Sequence, residues 1–418
     1  MELLMNALSW YSALPASVMV MIGIFLVAML LARLKVGASL RAAIYVAAAV
    51  VAMGALVGMF SGAATPILQE VVKSTGLQLD VIDLGVGSAY SNVLFPLSFY
   101  SILLVVGLGV NALMIVLKLT DTFDVDVFNY SVWALASSYV LVITENVVFA
   151  IIAFVIYEVV VLKFADWTAP AIQKAYGLEG VSIPHGNAVI FAPIGMAVNW
   201  VIEKIPPLAK IDWSPEKIEE RFGGFVSPSM IGFVMGIVLG IAGGQDFGQT
   251  LLLGVTVAAF MIVFPRVENV LVEGITPVAD GMRDLCAKKF HRDLNIGLDA
   301  AILIGMPDIM AAGILVTPVV LLLSFILPGN HVLPMADLAI AAPFLISCCL
   351  PFCKRNIFRG FIAGIVVMII ALYVCTFTAD WYTATAALNG LPFESTSTTL
   401  GICSSWVAWL IGLGFSIF

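Results

Sequence analysis

The stretch Gly177-Leu178-Glu179-Gly180-Val181-Ser182-Ile183-Pro184-His185-Gly186-Asn187-Ala188 brings a carboxylate, an imidazole and a carboxamide together. Its three glycines and one proline forbid a continuous helix. Inside a bilayer, irregular backbone survives only where protein or a wet cavity surrounds it, and Glu179, His185 and Asn187 would then line that cavity. The alternative is an aqueous loop in which His185 makes only a local hydrogen bond. Three other stretches set a carboxylate beside glycine or proline within apolar sequence: Asp83-Leu84-Gly85-Val86-Gly87-Ser88, Gly297-Leu298-Asp299 and Gly305-Met306-Pro307-Asp308. Carboxylates, an imidazole and amides suit a ligand rich in hydroxyls, because each hydroxyl both donates and accepts. The candidate contacts are Asp83, Ser88, Glu179, His185, Asn187, Asp299 and Asp308. Glu145 and Asn146 join them, with a solvated turn as the competing reading. Asp299 would serve equally well as a helix cap.

Other chemistries have no support in the residues. His185, His291 and His331 are too scattered to ligate a metal at helical spacing. No GxxxxGK[ST] stretch exists to cradle a phosphate, so an ATP-driven pump is not expected. No cofactor site is expected either. The cysteines Cys286, Cys348, Cys349, Cys353, Cys375 and Cys403 lie mostly in apolar runs without a CxxC pair and read as small packing residues. No basic stripe interleaved with aromatics points to nucleic acid.

The elements that must position these groups are membrane helices. With 61% hydrophobic and 11% charged residues in 418 and a mean hydropathy of +1.09, the chain cannot coat a soluble globule. Runs such as 18–31, 42–60, 102–117, 231–241 and 362–374 approach the ~20 apolar residues of a spanning helix. The start, Met1 to Pro15, lacks the cationic opening and cleavage site of a secretory peptide, so the first run is expected to remain as a helix. One integral membrane domain, residues 1–418, is expected.

Arg33, Lys35 and Arg41 surround the turn before a run that leads to Ala64-Thr65-Pro66-Ile67. The turn 211 residues on, Ala242-Gly243-Gly244-Gln245-Asp246, has no cation and leads to Ile275-Thr276-Pro277-Val278. Basic residues of short loops stay cytoplasmic, so the two turns belong on opposite faces, as in an inverted repeat. An ordinary bundle without internal symmetry is the alternative. The expected fold is an all-α polytopic membrane protein. Two repeats of about five helices each, about 14–203 and about 223–418, flank a cytoplasmic connector at about 204–222, and a final helix follows.

In the first repeat, helices are expected near 14–32, 42–60, 97–118, 131–143 and 147–164. In the second they are expected near 225–241, 251–265, 313–327, 338–353 and 361–378. Re-entrant segments fall at 81–95, 177–192 and 293–312, with outer stretches at 61–80 and 379–400 and inner ones at 166–176 and 266–292. The N-terminus is then outside and the C-terminus cytoplasmic, with every Lys and Arg except Lys73 on the inner side.

Several stretches resemble one family. They are Asp124-Val125-Asp126-Val127-Phe128-Asn129, the 177–186 stretch, Ile202-Glu203-Lys204-Ile205-Pro206, Gly232-Phe233-Val234-Met235-Gly236, Pro265-Arg266-Val267 and Leu327-Pro328-Gly329-Asn330-His331-Val332-Leu333-Pro334. In this order, over about residues 80–340, they are similar to the membrane-embedded IIC component of the bacterial phosphotransferase system, in the galactitol branch of the ascorbate and galactitol superfamily. The resemblance implies import of a polyol or sugar across the inner membrane and its presentation to a phosphocysteine on a IIB protein. IIB and IIA are then separate polypeptides. It also implies a homodimer with a fixed scaffold and a mobile core that moves as an elevator. It makes Glu179 and His185 the foremost substrate contacts, with His185 orienting or polarising the attacking hydroxyl. Val86-Gly87-Ser88, Glu145-Asn146 and Met306-Pro307-Asp308 depart from the galactitol pattern, so the resemblance implies a polyol or sugar rather than galactitol in particular. A proton- or sodium-coupled transporter using Asp83 or Asp308 is the alternative.

Overall fold

The computed structural model describes residues 10, 14, 16–75, 79–94, 97, 99–124, 126–213, 228–290, 294–334, 338–390, 392–393 and 395–417. The first run of elements is α1 (Ala16–Leu26, continued by a wider turn over Val27–Leu31), α2 (Val36–Thr75), β1 (Val81–Asp83), α3 (Val86–Ser88), α4 (Tyr100–Val116), β2 (Thr122–Asp124), α5 (Val127–Thr144), α6 (Val147–Tyr176), β3 (Val181–Ser182) and α7 (Ala192–Glu203). A short helix, α8 (Pro206–Ala209), follows. The second run is α9 (Pro228–Ala242), α10 (Phe247–Phe290), β4 (Asn295–Gly297), α11 (Ala301–Ile304), α12 (Pro307–Ile326), β5 (Val332–Leu333), α13 (Leu338–Ile346), α14 (Ile357–Leu388), β6 (Ser397–Thr398), α15 (Leu400–Cys403) and α16 (Trp406–Phe415). Apart from α15 the order of elements in the second run repeats that of the first. Among the described residues, α6, α12 and α14 are long and apolar enough to cross a membrane.

Local sequence sets the helix ends. Asn146 and Asn356 cap α6 and α14 by accepting from first-turn amides, which satisfies donors that no earlier turn can reach. At the other end of α6, Gly177 takes φ 68° and returns its N–H to the Gln173 carbonyl, a left-handed stop that glycine adopts without a Cβ penalty.

Several helices run past the bounds that hydropathy predicts. Residues 61–75 continue α2, 266–290 continue α10 and 166–176 continue α6. Polar residues in those stretches read as aqueous loop, yet residues 67–75 contain neither glycine nor proline, and nothing stops a helix where the apolar slab ends. Pro66 and Pro170 lie inside α2 and α6 without terminating them. The outer stretch 379–400 likewise starts as helix, with α14 running to Leu388. The three expected re-entrant segments are indeed broken backbone: a strand and short turns at 81–94, at 181–191 and at 295–306. Much of the 204–222 connector lies outside the described residues.

Six short strands form two parallel sheets with orders β5-β1-β6 and β2-β4-β3. The first strand of each run therefore sits between the second and third strands of the other. The backbone bonds correspond: Val81 N donates to His331 O and Leu84 N to Thr398 O, while Asn295 N donates to Asp121 O and Leu298 N to Ser182 O. Each central strand has partners on both sides, so its amides and carbonyls are satisfied within the protein.

The apolar side chains form several clusters. The largest cluster unites α5, α6, α12, α13 and α14 around Trp133, Tyr139, Phe154, Tyr157, Phe191 and Tyr382. A second cluster joins α1, α2 and α10 to β4, a third joins α2 and α10 to α11, α12 and β5, and α2 packs along α10, which packs along α9. Arg41 on α2 reaches Glu273 on α10 at 2.8 Å.

Candidate functional site

The two strand sheets place the broken segments. Just beyond β3, the chain turns through Pro184, His185 and Gly186. Trp133 on α5 anchors this loop by donating Nε1–H to the Pro184 carbonyl at 3.1 Å. Gly186 has no room for a side chain, since a Cβ there would lie 2.5 Å from the Tyr157 hydroxyl. That hydroxyl shares a 2.6 Å hydrogen bond with Ser405 Oγ, so α6 ties this loop to the corresponding loop of the second run.

His185 is buried, its ring 4.6 Å edge-on from Phe344 on α13. The Asn187 backbone N–H donates to His185 Nδ1 at 3.2 Å. A neutral ring with Nδ1 accepting carries its proton on Nε2. Nε2 faces Asp299 Oδ2 at 3.8 Å, beyond the range of a direct hydrogen bond.

Asp299 arrives from β4, on the other run. Gly297 lets β4 come close: a Cβ would meet the Asp124 Cα and Pro184 Cγ, each at 2.8 Å. Asp299 Oδ1 accepts from the Ala301 N–H at 2.7 Å, as a cap at the start of α11, and its own N–H donates to Asp126 Oδ2 at 3.3 Å. Asp126 in turn caps α5 through Phe128 N–H at 2.9 Å. Asp124 Oδ1 takes the Asp126 N–H at 3.0 Å and Asn129 Nδ2 at 3.1 Å. Asp299 thus uses Oδ1 for the local bond that the cap reading expects and turns Oδ2 towards His185.

A second tip closes the arrangement. Asn187 Nδ2 donates to the carbonyls of Gly401 and Ile402 and lies 3.2 Å from Ser404 Oγ. Asp83 Oδ1 accepts from Gly85 N–H at 3.1 Å and Leu400 N–H at 3.3 Å. Residues 400–404 are therefore held between Asp83 on one sheet and Asn187 beside the other.

The structure brings His185, Asn187 and Asp299 together. The other candidates lie elsewhere. Glu179 is exposed in the turn before β3. Ser88 is half-buried in α3, its N–H bonded to Gly85 O at 3.0 Å. Glu145 and Asn146 form an exposed turn: Glu145 is a left-handed C-cap of α5 and the Asn146 side chain caps α6. This is the solvated-turn reading rather than the cavity one, and ending one helix and starting the next occupies both residues. Asp308 is fully buried, its Oδ2 accepting from Tyr176 Oη at 2.9 Å and Arg355 Nε at 3.4 Å, with the guanidinium stacked over the Tyr176 ring. It joins α12 to the end of α6. Asp124 and Asp126, which cradle Asp299, escaped the list of candidates. Their signal was the Asp-x-Asp spacing immediately before an apolar helical run, a helix-start pattern.

Among the described residues no group of three or more His, Cys, Asp or Glu side chains is arranged to hold a metal. The site is a hydrogen-bonding one: a buried donor on His185, a carboxylate opposite, and backbone groups that fix both.

Residues 14–415 match the family model EIIC-GAT, the PTS system sugar-specific permease component. The chain is 34% identical, over 88% of its length and 84% of the relative's, to an Escherichia coli (strain K12) protein provisionally named a permease IIC component. It is 30% identical, over 92% of its length and 85% of theirs, to the PTS system galactitol-specific EIIC component of Escherichia coli (strain K12) and of Escherichia coli O157:H7. A match over nearly the whole chain settles membership: this chain belongs to the EIIC-GAT family of PTS system sugar-specific permease components.

Proposed function

We propose that the chain imports a polyol, galactitol or a similar one, or a sugar, and presents it to a phosphocysteine on a separate IIB protein, which a IIA protein recharges. The observation that carries the substrate class is the His185–Asp299 pair. A buried donor and a carboxylate 3.8 Å apart are too far apart to bond directly, and one hydroxyl oxygen seated beside the pair would reach both, accepting from one and donating to the other. Asp83 Oδ1 and Asp308 Oδ2 accept hydrogen bonds from protein groups.

We read the two runs of elements as an inverted repeat. The strand exchange between the sheets supports it, and so does the charge at corresponding turns. The first run has Arg33 and Lys118 in left-handed turns where the second has Gly244 and Gly329, and Glu145 where the second has Lys354 and Arg355. Turning one run over places all four cations on one face, as cytoplasmic loops require. The N-terminus is then outside and the C-terminus cytoplasmic. The packing of α2 along α10 and of α10 along α9 favours α1, α2, α9 and α10 as a scaffold and the remainder as an elevator core, in a homodimer, by analogy with the ascorbate branch.

The test is uptake of labelled hexitols, pentitols and hexoses into cells carrying the cognate soluble partners. Accumulation of the phosphorylated solute only with phosphoenolpyruvate is the expected result. Uptake that persists without phosphoenolpyruvate and collapses with an uncoupler would replace this reading with a gradient-driven one.

A further inference from the structure

We propose that Asp299 is the general base of the transfer and that His185 acts only as a hydrogen-bond donor. The inference rests on the phosphotransferase reading above and assigns the proton within that same site.

The assignment follows from which atoms can accept. The Asn187 amide occupies His185 Nδ1, and a backbone N–H cannot exchange its role. Nε2 therefore carries the ring proton and presents a donor, not a lone pair, to whatever lies opposite. A hydroxyl between the two groups accepts from Nε2–H and must send its own proton to Asp299 Oδ2. Oδ1 is already engaged by the Ala301 amide, which leaves Oδ2 open. Among the described residues no lysine or arginine pairs with Asp299, so no fixed cation competes for that oxygen. Asp299 is also the accessible member: its side chain is 15% exposed against 1% for His185.

The step balances without further reagents. The substrate oxygen attacks the phosphorus of the partner's phosphocysteine. The new O–P bond forms as the S–P bond breaks, and its electron pair leaves on sulfur as a thiolate. The hydroxyl proton moves to Asp299 Oδ2 and from there to solvent. Nothing is oxidised or reduced. The Asp126 carboxylate holds the Asp299 main chain and is a positioning residue, since it reaches the substrate only through Asp299.

The experiment uses the full chain in membranes with its soluble partners, phosphoenolpyruvate and labelled galactitol, mannitol and sorbitol. Asp299→Asn keeps an oxygen for the Ala301 amide and a polar group facing His185. The expected result is binding of the preferred hexitol within about threefold of wild type, with phosphorylation at saturating substrate slowed by ~10²–10⁴-fold, the usual contribution of a positioned base. Asp299→Glu, which keeps a carboxylate at altered reach, is expected to recover part of that loss, and the acid limb of the rate profile should vanish in Asp299→Asn alone. Phosphorylation by Asp299→Asn within tenfold of wild type would overturn the proposal. So would a parallel loss of binding and rate in both variants, which would make Asp299 a binding residue only. Wild-type protein that binds a hexitol but never phosphorylates it would instead defeat the phosphotransferase reading itself.

Discussion

Glu145 and Arg355 occupy the same position in two turns of opposite charge. Each takes a left-handed backbone, φ 51° and φ 56°, and each is followed by an asparagine whose side chain caps a long helix, Asn146 for α6 and Asn356 for α14. A non-glycine residue there costs roughly 1 kcal/mol, and in the proposed inverted repeat the charge it carries tells the two faces of the bilayer apart. Single cysteines at Glu145 and Lys354 should therefore respond differently to a membrane-impermeant maleimide: position 145 labelled from outside intact cells, position 354 only after permeabilisation. The described native cysteines are buried and contribute little background. Equal labelling of both sites would remove the inverted arrangement.

His185→Gln should reduce phosphorylating uptake by about 10²-fold or more, because the long side chain cannot hold a donor at Nε2 while satisfying the Asn187 amide. His185→Ala is a less clean variant. The ring is buried against Phe344, so its removal also leaves a void. Membrane abundance measured beside uptake separates the two effects.

Asp308→Asn should lower the thermal midpoint in detergent while leaving solute preference unchanged. Asp308 holds Tyr176 and Arg355 together in a buried setting, and weakening such a charge-assisted contact costs about 1–3 kcal/mol. Tyr176→Phe should give a smaller loss of the same sign. A changed polyol preference with unaltered stability would return Asp308 to the substrate site.

Asn187→Leu should destabilise by about 1–3 kcal/mol. It removes the donor that satisfies the Gly401 and Ile402 carbonyls and leaves both buried without it. Thermal unfolding monitored by intrinsic fluorescence checks this, since the loop lies between Trp133 and Trp406.

Glu203, at the end of α7, sits among Lys354 and Arg359. Hydrogen bonds to these two cations lower its pKa from 4.5 to about 2. A depressed carboxyl pKa stabilises the fold fully above the unfolded value and loses that effect as pH falls through the folded one. The difference in thermal midpoint between wild type and Glu203→Gln should hold from pH 7 to about pH 5 and shrink as pH falls from 4.5 towards 2. A difference that grows on acidification would contradict the network.

Much of the architecture was legible in the sequence because apolar runs, breakers and cations each leave a local mark. The broken segment around His185 announced itself through three glycines and a proline. Helix ends were less legible: Gln69, Glu70 and Lys73 read as loop, although nothing in residues 67–75 stops a helix. The two sheets were invisible, since strands of two or three residues have no period to detect, and their pairing joins residues as distant as Ile82 and Ser397. The roles of Asp299 separated only in three dimensions, where one oxygen caps α11 and the other faces His185. Asp308 looked comparable in sequence, a carboxylate beside a proline where Asp299 lies near a glycine, and its contacts with Tyr176 and Arg355 distinguish it.

The interchange of strands between the sheets also governs how the protein must be made. When β1 leaves the ribosome, the segments that flank it, β5 and β6, are not yet synthesised, and its ladder stays open until residue 398 emerges. Each half thus withholds a piece the other needs. The nascent chain cannot mature domain by domain, and a polypeptide cut short before β6 would leave Asp83 without Leu400 and present an unpaired edge to quality-control proteases.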